Sequence, residues 1–153
     1  MDEQKANDRW HRAAHSRFYL ELAGLSFALM HGHQPEDYAQ HLWSLGAAKR
    51  VGKARPSPTE YLRQEAEAIA VLWPGLDFHL EEGEGLTRLV FTRGCLGAGW
   101  GQPWALAGRL GLAKEQVCRY CKEAFRVWGE QLGLSVLLSP EEGGPCTLKV
   151  APG

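Results

Sequence analysis

The segment "LDFHLEEGEGLTRLVFTR", residues 76–93, decides the fold class, because here the spacing of apolar residues changes from helical to alternating. Leu76, Phe78 and Leu80 alternate with polar residues, "EGEG" supplies a turn, and Leu89 and Phe91 return, so the segment predicts a β-hairpin. A second hairpin is predicted over "LSVLLSPEEGGPCTLKVA", residues 134–151, turning at "PEEGG". The segments around them read as helices and loops. Asn7 and Asp8 are candidate caps for a first helix that continues to about Met30. Its face carries His11, His15, Phe18, Leu22, Leu25 and Leu29 at three- and four-residue spacing. Pro35 suits the first turn of a second helix, "PEDYAQHLWSLGAAKRVG", which places Tyr38, Leu42 and Leu45, with Trp43 beside them, toward a partner. After the proline-rich "KARPSPT", Thr59 is the candidate cap of a third helix, Glu60 to Leu72, with Leu62, Ala66, Ile69 and Trp73 inward. "GCLGAGWGQPWALAGRLG" is a glycine-rich loop feeding a short helix, and "VCRYCKEAFRVWGEQLG", residues 117–133, forms the last one. No parallel βαβ unit is evident. The order predicts a single α+β domain over residues 1–153, with several helices packed on an antiparallel sheet built from two hairpins.

Bulk composition narrows the function classes. A chain of 153 residues with 44% hydrophobic and 23% charged residues can bury a sizeable core. A net charge of −1 gives no long-range field for nucleic acid or an anionic membrane. The polar N-terminal stretch and the lack of a long apolar run point to the cytoplasm, where thiols stay reduced. A homodimer is left open.

Four cysteines form the pattern C-x22-C-x2-C-x24-C. Cys95 falls just beyond the first hairpin, Cys118 and Cys121 lie on the last helix, and Cys146 begins the final strand. The i, i+3 spacing puts Cys118 and Cys121 on nearly the same side, continued by Ala124, Phe125, Trp128 and Leu132. If the two hairpins share one sheet, Cys95 and Cys146 reach neighbouring strand ends and the four thiols converge. Four thiolates suit zinc or an iron–sulfur cluster, and the metal supplies the charge that a buried thiolate otherwise lacks. Separated ligands among aromatic neighbours tilt the expectation slightly toward the cluster. Inert buried thiols, a redox dithiol and disulfides are the alternatives.

Other residues are candidates for a pocket. Six tryptophans (Trp10, Trp43, Trp73, Trp100, Trp104 and Trp128) are spread over different elements, so several can line one apolar cavity. Trp100 and Trp104 flank the glycine-rich loop, where Gly97, Gly99 and Gly101 fit no phosphate-binding fingerprint. His11 and His15, at i, i+4, have a spacing that can hold a metal or line a pocket, with plain packing as the bland reading. His31 and His33 suit a helix end, and His79 is expected to face solvent. Lys49, Arg50, Lys53 and Arg55 read as a solvated basic turn, and no catalytic carboxylate pair stands out.

The order of features resembles the 2-amino-thiazoline-4-carboxylate hydrolase-like proteins and, more distantly, the 4-vinyl-reductase ligand-binding domains. The residues that carry it are "HGHQPEDYAQHLWSLGAAKRVG", "TRGCLGAGW", "VCRYCKEAF" and "GGPCTLKV". The chain has Cys95-Leu96 where family members often have Cys-Pro, and Gly143-Gly144-Pro145 where Gly-Asp is frequent. The resemblance implies a small-molecule-binding domain with a cysteine cluster. The expected function is therefore binding or sensing of a small hydrophobic or heterocyclic ligand beside a metal centre (iron–sulfur or zinc) at Cys95, Cys118, Cys121 and Cys146. Trp100, Trp104, His11 and His15 are the candidate pocket residues. The alternative is a hydrolase acting on a small cyclic or sulfur-containing substrate.

Overall fold

The structure, a computed structural model, describes residues 2–45, 55–74, 76–83, 86–92, 102–140 and 146–153; at 86, 102–104 and 140 it describes the backbone alone. Five helices and a four-stranded antiparallel sheet are found among these residues, an α+β fold.

Helix α1 spans Glu3–Met30. It begins five or six residues earlier than the Asn7 and Asp8 caps predict, because Asp2 caps it by accepting from the Gln4 amide at 3.2 Å. Glu3 then sits in the first turn, where an acidic side chain meets the positive end of the helix dipole. Asp8 instead accepts from Gln4 Nε2 one turn away, at 2.9 Å. Helix α2 is Pro35–Trp43, with Pro35 in its first turn and the Gln34 amide donating to Asp37 at 2.8 Å. The expected continuation of α2 over residues 46–52 lies outside the described residues. Helix α3 is Pro58–Leu72 and is capped by Ser57 rather than Thr59. Ser57 Oγ accepts from the Glu60 amide at 3.2 Å and Glu60 returns a bond to the Ser57 amide at 2.9 Å, a reciprocal capping box. Thr59 is thereby freed to meet Thr87 Oγ1 at 3.1 Å, joining α3 to the sheet.

Strands β1 (Phe78–Gly83) and β2 (Leu86–Phe91) form the first hairpin, and β3 (Leu134–Pro140) pairs with β4 (Cys146–Pro152). The hairpins join through β2 and β4, giving the order β1-β2-β4-β3. Leu89 stands opposite Leu148 and Phe91 opposite Cys146, so one face carries Leu89, Phe91, Cys146, Leu148 and Val150, extended by Leu134, Val136 and Leu138 of β3. All eight are buried, which is what a period of two produces when one face is covered. The cover comes from α3, through Leu62 and Ile69, and from α5 (Lys114–Gln131). Gly129 lets α5 approach β3: a Cβ there would overlap the Val136 side chain.

The short helix α4 (Gln102–Arg109) and α5 build a second buried cluster with α1 and α2, containing Phe18, Leu22, Leu25, Ala39, Ala107, Val117 and Tyr120. Arg119 of α5 reaches Glu36 of α2 through two hydrogen bonds of 2.6 and 2.7 Å, and Gln40 donates to Glu123 at 2.9 Å. Trp73 and Cys121 pack against both clusters and mark the seam between them. None of the described helices is long and apolar enough to cross a membrane.

Candidate ligand cavity

A cavity of about 260 Å³ opens at that seam, walled by four helices. Helix periodicity selects the lining. From α1 come Arg17, Phe18 and Glu21, within one turn of each other; α2 contributes its last residue, Trp43. From α3 and its C-cap come Glu65, Ala68, Leu72 and Trp73, and from α5 Tyr120, Cys121, Ala124, Phe125 and Trp128. The tryptophans are held edge-on. Trp43 meets Trp128 with ring centroids 5.5 Å apart, and Phe18 meets Trp73 at 6.2 Å, both in the T-shaped geometry that the ring quadrupoles favour.

The polar groups of the cavity are few, and two of them, Arg17 Nη1 and Trp73 Nε1, are buried without a hydrogen-bond partner among the described residues. Trp43 Nε1 donates to the Tyr120 hydroxyl at 3.0 Å, and Tyr120 donates to the Glu21 carboxylate. Arg17 Nη1 lies 3.3 Å from the other Glu21 oxygen, and the Arg17 guanidinium sits over the Trp73 ring, 5.3 Å from its centroid. Tyr38 stacks on Tyr120 at 5.3 Å and donates to the Glu21 backbone carbonyl at 3.0 Å. Gly24 makes room for Tyr38: a Cβ there would collide with the phenol.

Burial decides how these groups titrate. Desolvation raises the Glu21 carboxyl above the ordinary range, and the Arg17 charge and the Tyr120 hydrogen bond only partly oppose it. Burial, with the Glu21 charge beside it, pushes the Tyr120 hydroxyl far up, so it stays a donor. The same two causes push Tyr38 up to about 12. Glu65 is pushed up to about 7 by burial, and the neighbouring Tyr61 hydroxyl, which approaches without forming a well-aligned hydrogen bond, lowers it less. The cavity thus holds two carboxyls of different character. Glu21 has a cation and a hydroxyl beside it; Glu65 pairs with no cation among the described residues.

The four cysteines divide between described and undescribed parts of the chain. Cys95 lies outside the described residues. Cys121 is in the cavity wall and packs against the sheet-side cluster to which buried Cys146 belongs, while Cys118 is half-buried one turn earlier on α5. Among the described residues, no group of three or more His, Cys, Asp or Glu is arranged to hold a metal ion. Of the candidate pocket residues, Trp100 and the Trp104 side chain lie outside the described part, as do Gly97, Gly99, Gly101, Lys49, Arg50 and Lys53. His11 and His15 are half-buried on α1 and do not line this cavity; His11 packs edge-on against Trp10 at 5.3 Å. His31 caps α1, its Nδ1 2.8 Å from the Phe27 carbonyl, and His79 is exposed beside Glu81.

Comparison with family models, curated proteins and solved structures found no match to this chain. The site must therefore be read from its own geometry. That geometry includes residues which motif reasoning passed over: Arg17, Glu21, Glu65 and Tyr120. A signal for the two carboxylates does exist. Glu21 stands three residues after Phe18 and four before Leu25, and Glu65 three after Leu62 and four before Ile69, so each occupies an apolar position of its helix.

Proposed function

We propose that this chain is a small-molecule-binding domain whose ligand occupies the four-helix cavity. The observation that carries the reading is the cavity itself, about 260 Å³ with aromatic walls and only a few polar groups. That is the form of a ligand site, in which apolar surface supplies affinity and sparse polar groups fix orientation. Its size, a little below the roughly 300–1,000 Å³ usual for such sites, suits only a small ligand. Tryptophan fluorescence tests it directly, because Trp43, Trp73 and Trp128 all line the space. Small aromatic probes should change the emission saturably, and Ala124→Phe, which fills the cavity from α5, should abolish the response while the helical circular dichroism is kept. An unchanged response in Ala124→Phe would place the probes elsewhere and refute the reading.

A second reading adds a metal centre held by Cys95, Cys118, Cys121 and Cys146. It is favoured by the packing of Cys121 against the cluster that contains Cys146, and by the register that sets Cys146 opposite Phe91, four residues before Cys95. The donors are chemically apt, since soft thiolates select zinc or an iron–sulfur cluster. Metal analysis with a visible spectrum on protein purified without oxygen decides it. Iron, acid-labile sulfide and broad visible absorption indicate a cluster, and stoichiometric zinc without colour indicates a structural site. Metal-free protein in which all the thiols titrate refutes the centre and leaves the cavity reading intact.

A further inference from the structure

We propose that the cavity selects a small organic cation, a protonated or quaternary amine carried on an apolar body. The proposal rests on the cavity being a ligand site, and it names the class of ligand. Three indole rings, those of Trp43, Trp73 and Trp128, border one small space. The negative face of an indole attracts cations more strongly than any other side-chain ring, and more so once water is excluded. The protein already uses one ring in this way, with the Arg17 guanidinium 5.3 Å over Trp73.

The charges in the cavity favour the same ligand. Arg17 is engaged by Glu21, whose second oxygen accepts from Tyr120, so that carboxylate is compensated within the wall. Glu65 has no such compensation among the described residues. An incoming anion would face two carboxyls, and the one cation of the described wall, Arg17, already stands 3.3 Å from Glu21, although its Nη1 and the Trp73 Nε1 are buried without a hydrogen-bond partner. An incoming cation finds a carboxyl with no paired cation among the described residues and indole rings in the wall. Because burial holds the Glu65 carboxyl up, a bound cation would also restore its anionic form and release a proton.

A matched pair of probes tests this on the full chain. Phenyltrimethylammonium and tert-butylbenzene have the same shape and differ by one charge, and both can be titrated by tryptophan fluorescence at pH 8. The cation should bind at least about tenfold tighter, and Glu65→Gln should narrow the difference between the two affinities. In weakly buffered solution near pH 7, the cation should release protons and the hydrocarbon should not. Equal affinities in the wild-type protein, or a preference for the hydrocarbon, overturn the cation proposal and leave the cavity standing. Binding of neither probe overturns the cavity reading together with it. Should Glu65→Gln fail to fold, the wild-type comparison still decides.

Discussion

Replacing Glu65 with Gln should stabilise the protein at alkaline pH and leave it nearly unchanged in acid. The Glu65 carboxyl has an ordinary value of 4.5 and is held at about 7 in the native state. Between those two values the native chain keeps a proton that the unfolded chain has lost, so native stability falls as pH rises through that window and is level above it. With roughly 1.4 kcal/mol for each decade between the two values, the ionised native state carries a cost of about 3 kcal/mol at pH 8. Gln has nearly the same shape and no charge to desolvate, so the variant escapes that cost. Urea unfolding of both proteins from pH 4 to pH 8.5 gives the difference in stability at each pH. Taking the difference cancels the opposite contributions of Glu36 and Glu123, whose carboxyls are lowered chiefly by hydrogen bonds from Arg119 and Arg126. The difference should open between about pH 4.5 and pH 7 and then stay constant. A difference that is flat across the whole range would falsify the claim that Glu65 is held in an apolar wall. The variant that is more stable should also be the weaker binder of a cation, a trade expected where a site keeps an unfavourable group for function.

Three further substitutions probe the scaffold. Gly129→Ala reverses the usual sign: in an exposed helix it would gain about 1 kcal/mol, but the overlap with Val136 should make it cost roughly 1–3 kcal/mol, read from the urea midpoint; a gain would mean that α5 and β3 are further apart. Tyr120→Phe removes both the acceptor of Trp43 Nε1 and a donor to Glu21, so thermal unfolding should show a loss of about 1–3 kcal/mol. An unaffected melting temperature would mean that this chain of bonds is not formed in solution. Arg119→Ala cuts a two-bond contact to Glu36, yet both side chains are about one-third exposed (36% and 34%), so the urea midpoint should barely move. A clear drop would show that the α2–α5 contact is far drier than it stands here.

The fold class was legible because both periods are clean. Leu134, Val136 and Leu138 alternate in β3 with exposed Ser135 and Leu137, and Phe18, Leu22 and Leu25 repeat at helical spacing in α1. The pairing of the two hairpins into one sheet follows from the same face being apolar in β2, β3 and β4. Helix starts were less legible. Residues 3–9 carry no apolar periodicity, so the first turns of α1 left no trace, and Ser57-Pro58-Thr59-Glu60 offered two capping hydroxyls. Only the reciprocal bond to Glu60 selects Ser57. For the site, Trp43, Trp73 and Trp128 line one cavity with residues of the first helix, while Trp100 and the Trp104 side chain, the tryptophans singled out from the sequence, lie outside the described part. The histidines did not lead to that cavity, because spacing reports which face a residue shares and not which helix comes to meet that face. Glu21 and Glu65 were masked by the expectation that carboxylates face water, although their positions in the repeat placed them inside.

The position of the cavity argues against its being an idle packing defect. It lies where the sheet-side cluster and the helical cluster abut, with Trp73 and Cys121 touching both. A seam of that kind can be closed with aliphatic side chains, and a Leu or Met at position 65 would add contact area and remove a desolvated carboxyl. This chain instead places at the seam three indoles, two carboxyls that burial makes unfavourable as anions, and one arginine. The Trp43–Tyr120–Glu21–Arg17 series then fixes three of those groups in one orientation. Fixing one carboxylate with internal partners while leaving the second without a counter-charge among the described residues does little for stability. The energetic cost at Glu65 and the capacity to select a cation are thus one feature seen from two sides. A variant that relieves the first must weaken the second.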